Sequence, residues 1–262
     1  MSELERIPFR GGGFAARPVR AASWIAFAVI LVGWEFAIRA HLISELFLPP
    51  PSAVLTSLWG MIVDGTLREH LQASLMRLVV GWSIGTAAGI LAGFAVGIVS
   101  IARAVGIPII SALFPIPKIA LLPLLILWLG IGETPKITVI ALGVFFPTTI
   151  ATFSAIDGVP RNLIRMAQSF GVPWLGILRK VVLPGAMPGI LAAFRITASV
   201  GLLLLVAAEM IGAQFGIGAF VLTQGQLMQT DALLAGVVVL SALGLVIGTL
   251  LSRLERRLLR WR

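Results

Sequence analysis

The chain contains no cysteine, which removes disulfide staples and thiolate metal sites and leaves the compartment unreadable from redox chemistry. Charge is scarce as well. Asp, Glu, Lys and Arg make up 12% of the 262 residues, half the share of about a quarter that soluble domains carry. No Gly-x-x-x-x-Gly-Lys-Ser/Thr phosphate loop occurs, so ATP hydrolysis is not among the activities of this chain. The two histidines, His41 and His70, have no acidic or cysteine neighbours spaced for a metal, and both read as solvated loop residues.

What is present is apolar. Hydrophobic residues reach 58% and the mean hydropathy is +1.04, values that place the chain among integral membrane proteins of all-α, polytopic class. The net charge of +9 does not point to nucleic acid, because the basic residues form clusters flanking apolar spans, as membrane topology requires. Arg6, Arg10, Arg17 and Arg20 precede the first apolar run, but Glu35 and Arg39 follow it and no small-residue cleavage site does. The run therefore reads as an uncleaved first span, not a signal peptide.

A spanning helix takes about 20 largely apolar residues, and six segments qualify: about 22–40, 72–99, 105–129, 136–156, 189–212 and 232–252. They form a single transmembrane domain, 22–252, between an N-terminal tail, 1–21, and a basic C-terminus, 253–262. Six spans put both termini on one side. That side collects fourteen Lys and Arg from the tail, Arg103, the 157–188 insert and the C-terminus, against Arg39, Arg68 and Lys136 on the other. The positive-inside rule makes the termini and the insert cytoplasmic. On the outer side, Leu48-Pro49-Pro50-Pro51-Ser52 leads into Ala53–Val63 and an Asp64-Gly65 turn, which reads either as a short helix along the outer face or as an ordinary loop. Glu35 and Arg39 are spaced for an i,i+4 ion pair.

Gly81, Gly85, Gly89, Gly93 and Gly97 recur every fourth residue in the second span. They make a groove for close approach of another helix, in this chain or in a second copy. Since four residues overshoot one turn by about 40°, the groove winds and suits a crossed partner. The third span carries Pro108, Pro115, Pro117 and Pro123, each deleting a backbone donor. Broken backbone at membrane depth needs neighbouring protein or a watery cavity, so this span is expected to line a pathway. Lys118 lies within it and has two readings: positive potential for the path, or an amine that bonds carbonyls freed by the prolines.

The insert reads Asp157-Gly158-Val159-Pro160-Arg161 through Ala167-Gln168-Ser169-Phe170-Gly171 and closes on Val181-Val182-Leu183-Pro184. Ala167 followed at the fourth position by Gly171, and later by an aliphatic-x-Leu-Pro, resembles the EAA signature with which ABC importer permeases dock onto an ATPase. Further matches are Phe47-Leu48-Pro49-Pro50-Pro51-Ser52, Pro115-Ile116-Pro117-Lys118, Trp128-Leu129-Gly130-Ile131-Gly132-Glu133, Ala207-Ala208-Glu209-Met210-Ile211-Gly212 and Thr230-Asp231. With these the chain resembles the nitrate/sulfonate/taurine branch of binding-protein-dependent ABC permeases over nearly its whole length.

The resemblance implies a type I importer permease fold in the bacterial inner membrane, working as a homodimer. It implies two cytoplasmic ATPase subunits holding ATP and Mg, no cofactor on this chain, and a periplasmic or lipid-anchored solute-binding protein. The cargo is a small solute: nitrate, sulfonate, taurine or a heterocyclic vitamin precursor. It also places the ATPase-coupling segment at Arg165, Met166, Ala167, Gly171, Leu183 and Pro184. Arg165 and Met166 depart from the usual Glu-Ala opening, while Ala167 and Gly171 keep the small residue and the turn. The segment 161–182 is expected to be a two-part helix bent at Gly171-Val172-Pro173. Lys118, Glu209, Met210 and Gln214 are the expected path and gate residues, with Glu209 near the outer end of its span. An ion-coupled secondary transporter is the alternative, but no repeat relates the two halves of the sequence.

Overall fold

The computed structural model describes residues 20–260, so the expected tail, up to residue 19, and the last two residues lie outside it. Among the described residues regular structure is helical throughout. Helix α1 (Arg20–Arg39) leads to α2 (Pro51–Val63), α3 (Thr66–Ile98) and α4 (Ser100–Leu113). These are followed by α5 (Leu122–Leu129), α6 (Glu133–Asp157), α7 (Arg161–Ser169) and α8 (Trp174–Ile177), then α9 (Leu183–Gly212), α10 (Ile217–Gln226) and α11 (Thr230–Leu258).

Four helices among the described residues are long and apolar enough to cross a membrane: α3, α6, the run Trp174–Gly212 and α11. A fifth span results if α4 and the Lys118–Leu129 stretch, bent by 84°, count as one. The first of the six expected spans coincides with α1, whose apolar side chains from Trp24 to Phe36 are largely exposed. Four boundaries move: α4 starts at Ser100 rather than 105, α11 runs on to Leu258 rather than 252, and two further helices start earlier than expected. The second span was expected from residue 72, but the helix begins at Thr66, because Gly65, at φ 84°, sets the turn and the Thr66 N–H donates to the Asp64 carboxylate at 2.9 Å. That hydrogen bond holds the Asp64 carboxyl below its usual range. The fifth span was expected from residue 189, after a separate insert, but the helix is continuous from Trp174 to Gly212. The residues Leu178–Val182 form a single wide π turn within it. Pro184 follows this turn closely, and its missing N–H removes one bond from the helical ladder at the point where the ladder widens.

The centre of the fold is α3 against α6, with α9 packed on α6 and also touching α3. Leu78, Val139, Ile140, Val144, Leu205 and Ala208 pack together there with Leu122 and Leu125 of α5. The glycine row is what lets α3 approach, and its partner is α6 of the same chain. A Cβ added at Gly89 would come within 2.7 Å of the Thr148 side chain, and at Gly93 within 2.5 Å of Thr152. At Gly85 it would run into the Ala141 carbonyl, and at Gly81 and Gly97 it would meet Ile140 and Ile156. Of the two readings of the stretch after Pro50, the helix is the one found, as α2, and one side of it packs inward: Val54 and Met61 are buried against Phe220 and Ala235, and Ser57 donates to the Asp231 carboxylate. Glu35 pairs with Arg39 at 2.6 Å and also accepts the Ser52 N–H and hydroxyl, placing a carboxylate at the positive end of α2.

Candidate functional site

Three side chains one or two turns apart on α3, His70, Ser74 and Arg77, project the same way toward the turn that joins α9 to α10. Arg77 is 3% exposed and uses all three nitrogens of its guanidinium. One nitrogen donates to Glu209 at 2.7 Å and to the Phe215 carbonyl at 2.6 Å. The other two form a bidentate fork with Glu133, the first residue of α6. Glu209 is fully buried and is held by three sets of donors: Arg77, the Ser74 hydroxyl at 2.8 Å and the Gly218 N–H at 2.9 Å. Ser74 in turn accepts the Ile217 N–H at 2.9 Å. The carboxylate of Glu209 therefore caps the first turn of α10.

The glycines around Glu209 follow from this. A side chain at Gly216, at φ 136°, would occupy the position of the Glu209 carboxylate, and one at Gly218 would meet the Val206 carbonyl at 2.7 Å. His70 closes the turn, its Nδ1 lying 3.0 Å from the Gly216 nitrogen and 2.9 Å from the Gly216 oxygen and engaging one or the other according to tautomer. The reading of His70 as a solvated loop residue is thus corrected: it lies in the first turns of α3, against Phe215 and Phe220. Arg77 was missed outright in the sequence. The available signal was the row His70, Ser74, Arg77, which runs on into Gly81 and Gly85 along one face of the helix.

The other site residues lie apart from this cluster. Met210 is exposed near the end of α9, and Gln214 is exposed in the α9–α10 turn. Lys118 stands at the break after α4, where its ammonium donates to the carbonyls of Leu113, Phe114 and Ile116 at 2.7 to 2.8 Å. It also lies 4.4 Å from the centre of the Phe146 ring. Pro117 has no N–H for the Leu113 carbonyl, and the chain leaves the helix here, so the Phe114 and Ile116 carbonyls are open too. The lysine's three N–H bonds reach all three, the Leu113 carbonyl also accepting the Ile116 N–H at 3.3 Å. At the far end of the fold, α7 carries Arg165 and Met166 exposed and Ala167 half-buried. The chain then turns at Gly171, φ 69°, and restarts at Trp174 after Pro173. The expected bend is there, with Phe170 (78% exposed) and Trp174 (63%) at its tip. Leu183 and Pro184 are not part of it but belong to α9. Between this tip and the α3–α4 turn, Arg103 pairs with Asp157 at 2.7 Å.

Residues 85–260 match the family described as binding-protein-dependent transport system inner membrane component. The chain belongs to that family. Among its relatives, the taurine transport system permease protein TauC of Escherichia coli is 40% identical over 239 residues, 89% of this chain and 87% of the relative. The putative aliphatic sulfonates transport permease protein SsuC of Bacillus subtilis is 34% identical, over 90% of this chain and 85% of the relative. Among solved structures, the methionine ABC transporter MetNI in an inward-facing conformation superposes with a TM-score of 0.57 at 24% identity, over 82% of this chain and 99% of that one, a likeness of fold. The chain is therefore the membrane-spanning permease of an ABC importer of binding-protein-dependent type, a transport subunit.

Proposed function

We propose that this permease imports an organosulfonate, taurine or an alkanesulfonate, delivered by a solute-binding protein on the outer side and driven by a separate ATPase dimer in the cytoplasm. The observation that carries the cargo assignment is the 40% identity to a taurine permease across 89% of the chain. Two copies of the chain form the path, since a two-fold ATPase dimer needs two docking segments. ATP and Mg reside on the ATPase. Both termini and the Arg161–Val182 segment face the cytoplasm, where the exposed Leu163, Met166, Phe170 and Trp174 offer an apolar surface for the ATPase groove. On this orientation the Arg77–Glu209 cluster lies at the outer end of the bundle and forms part of the outer gate, and Lys118 adds positive potential to the path.

Reconstitution of the permease with its cognate ATPase and binding protein tests the reading. Binding-protein-dependent uptake of labelled taurine or an alkanesulfonate is expected, with native mass giving two permease copies. Uptake of nitrate in preference to either sulfonate overturns the cargo, and uptake without ATP overturns the importer.

A further inference from the structure

Arg77 lies between two carboxylates whose surroundings differ sharply. The Glu209 side chain is 0% exposed, against 43% for Glu133. Breaking the Glu209 arm strands a fully buried charge, whereas the Glu133 arm opens toward water and is far cheaper to break. Three further features concern the Glu133 arm alone. Glu133 is the first residue of α6 and follows Gly130 and Gly132, at φ 81° and 156°, neither with any atom close to where a side chain would stand, so packing places few steric restraints on the start of α6. A cleft of about 490 Å³ lined by Ala73, Met76, Arg77, Glu133 and Phe215 lies against the pair, room for the carboxylate to swing and for water to replace it. Lys136, one turn along, stands 3.4 Å from the same carboxylate and is itself buried. Glu133 can therefore leave Arg77 without leaving its counter-charge.

We infer that the Arg77–Glu133 pair is an exchangeable latch at the outer gate, opening and closing in each transport cycle as Glu133 passes between Arg77 and Lys136, while Arg77–Glu209 stays closed. Arg77 and Glu133 are positioning residues: they set the distance between the start of α6 and the α9–α10 turn and touch no cargo. This inference rests on the reading of the chain as an ATP-driven importer with this end outward.

The test uses the assembled importer in proteoliposomes. Glu133→Gln is expected to raise ATP hydrolysis in the absence of binding protein about threefold, the scale of one half-exposed ion pair. Arg77→Lys, which retains one arm but not the fork, should do the same, and the double variant should do no more than either single. Because the chain has no cysteine, Ala73→Cys places one thiol in the cleft of the otherwise unaltered permease. Its rate of modification by a membrane-impermeant reagent should differ severalfold between nucleotide-free and ATP-bound complexes. Unchanged basal hydrolysis in Glu133→Gln, additive effects in the double variant, or equal labelling in the two states overturns the latch. Failure of the parental complex to couple hydrolysis to uptake overturns the importer reading instead.

Discussion

Gly89 of α3 lies so close to Thr148 of α6 that a methyl on the glycine would come within 2.7 Å of the threonine Cβ. Contacts of this kind repeat from Gly81 to Gly97, so the two helices meet almost backbone to backbone, which in a membrane is a source of association through dispersion. The same contacts leave no room for error.

Gly85→Ala is expected to destabilise the permease by about 1–3 kcal/mol, because the methyl meets the Ala141 carbonyl and backbone cannot step aside as a side chain can. Gly248 of α11 has no atom within 4 Å of an added Cβ, so Gly248→Ala should be neutral or stabilising by up to about 1 kcal/mol. Thermal unfolding of both variants in detergent checks the contrast, and equal effects would show that close approach is not what the glycine row provides.

At the break in the third span, Lys118→Met removes the side-chain donor from the carbonyls of Leu113, Phe114 and Ile116, leaving Leu113 with only the long Ile116 N–H bond at 3.3 Å. The expected result is a loss of about 1–3 kcal/mol, seen as less folded permease in the membrane, with Lys118→Arg retaining most of it. Transport per folded molecule then separates the two roles of the lysine. A fall in sulfonate uptake by Lys118→Met at matched abundance supports the positive potential, and parental uptake removes it.

Glu209→Ala breaks the buried pair with Arg77 and uncaps α10 together. A cost of about 3–5 kcal/mol is expected, together with new proteolytic cleavage between residues 213 and 218. A variant as stable and as protease-resistant as the parent would contradict the role given to this carboxylate.

The turn at Gly171 has φ 69°, which asparagine tolerates and a β-branched residue does not. Gly171→Val should reach the membrane in normal amount yet hydrolyse ATP without uptake, while Gly171→Asn should transport. Normal binding-protein-stimulated uptake by Gly171→Val would remove the coupling assignment.

Most of the fold was legible because apolar length and periodicity are local properties. The glycine row, the prolines around Lys118 and the Ala167 to Gly171 spacing each mark their element unaided. The gaps arose where partners lie far apart in sequence. Arg77 finds Glu133 and Glu209 only once α3, α6 and α9 are side by side, and counted along the chain it is one more charge near a span end. His70 was misplaced for a related reason: the start of α3 is set by the Asp64-Gly65 turn, while hydropathy rises only some six residues later. The continuity of Trp174 with Gly212 was hidden by Arg179 and Lys180, whose charge reads as a loop although both lie inside a helix.

That continuity has a mechanical consequence. Thirty-nine residues in one helix make a shaft about 58 Å long, with the exposed apolar knuckle of Phe170 and Trp174 at one end and the buried Glu209 at the other. A shaft without a flexible joint passes a twist from end to end undiminished. Here the ladder is interrupted at the wide turn Leu178–Val182 and at Pro184 and Pro188 just beyond, and gaining or losing a single residue of helix at the wide turn would rotate everything beyond it by about 100°. The angle between the two ends of the shaft thus depends on the register of those five residues.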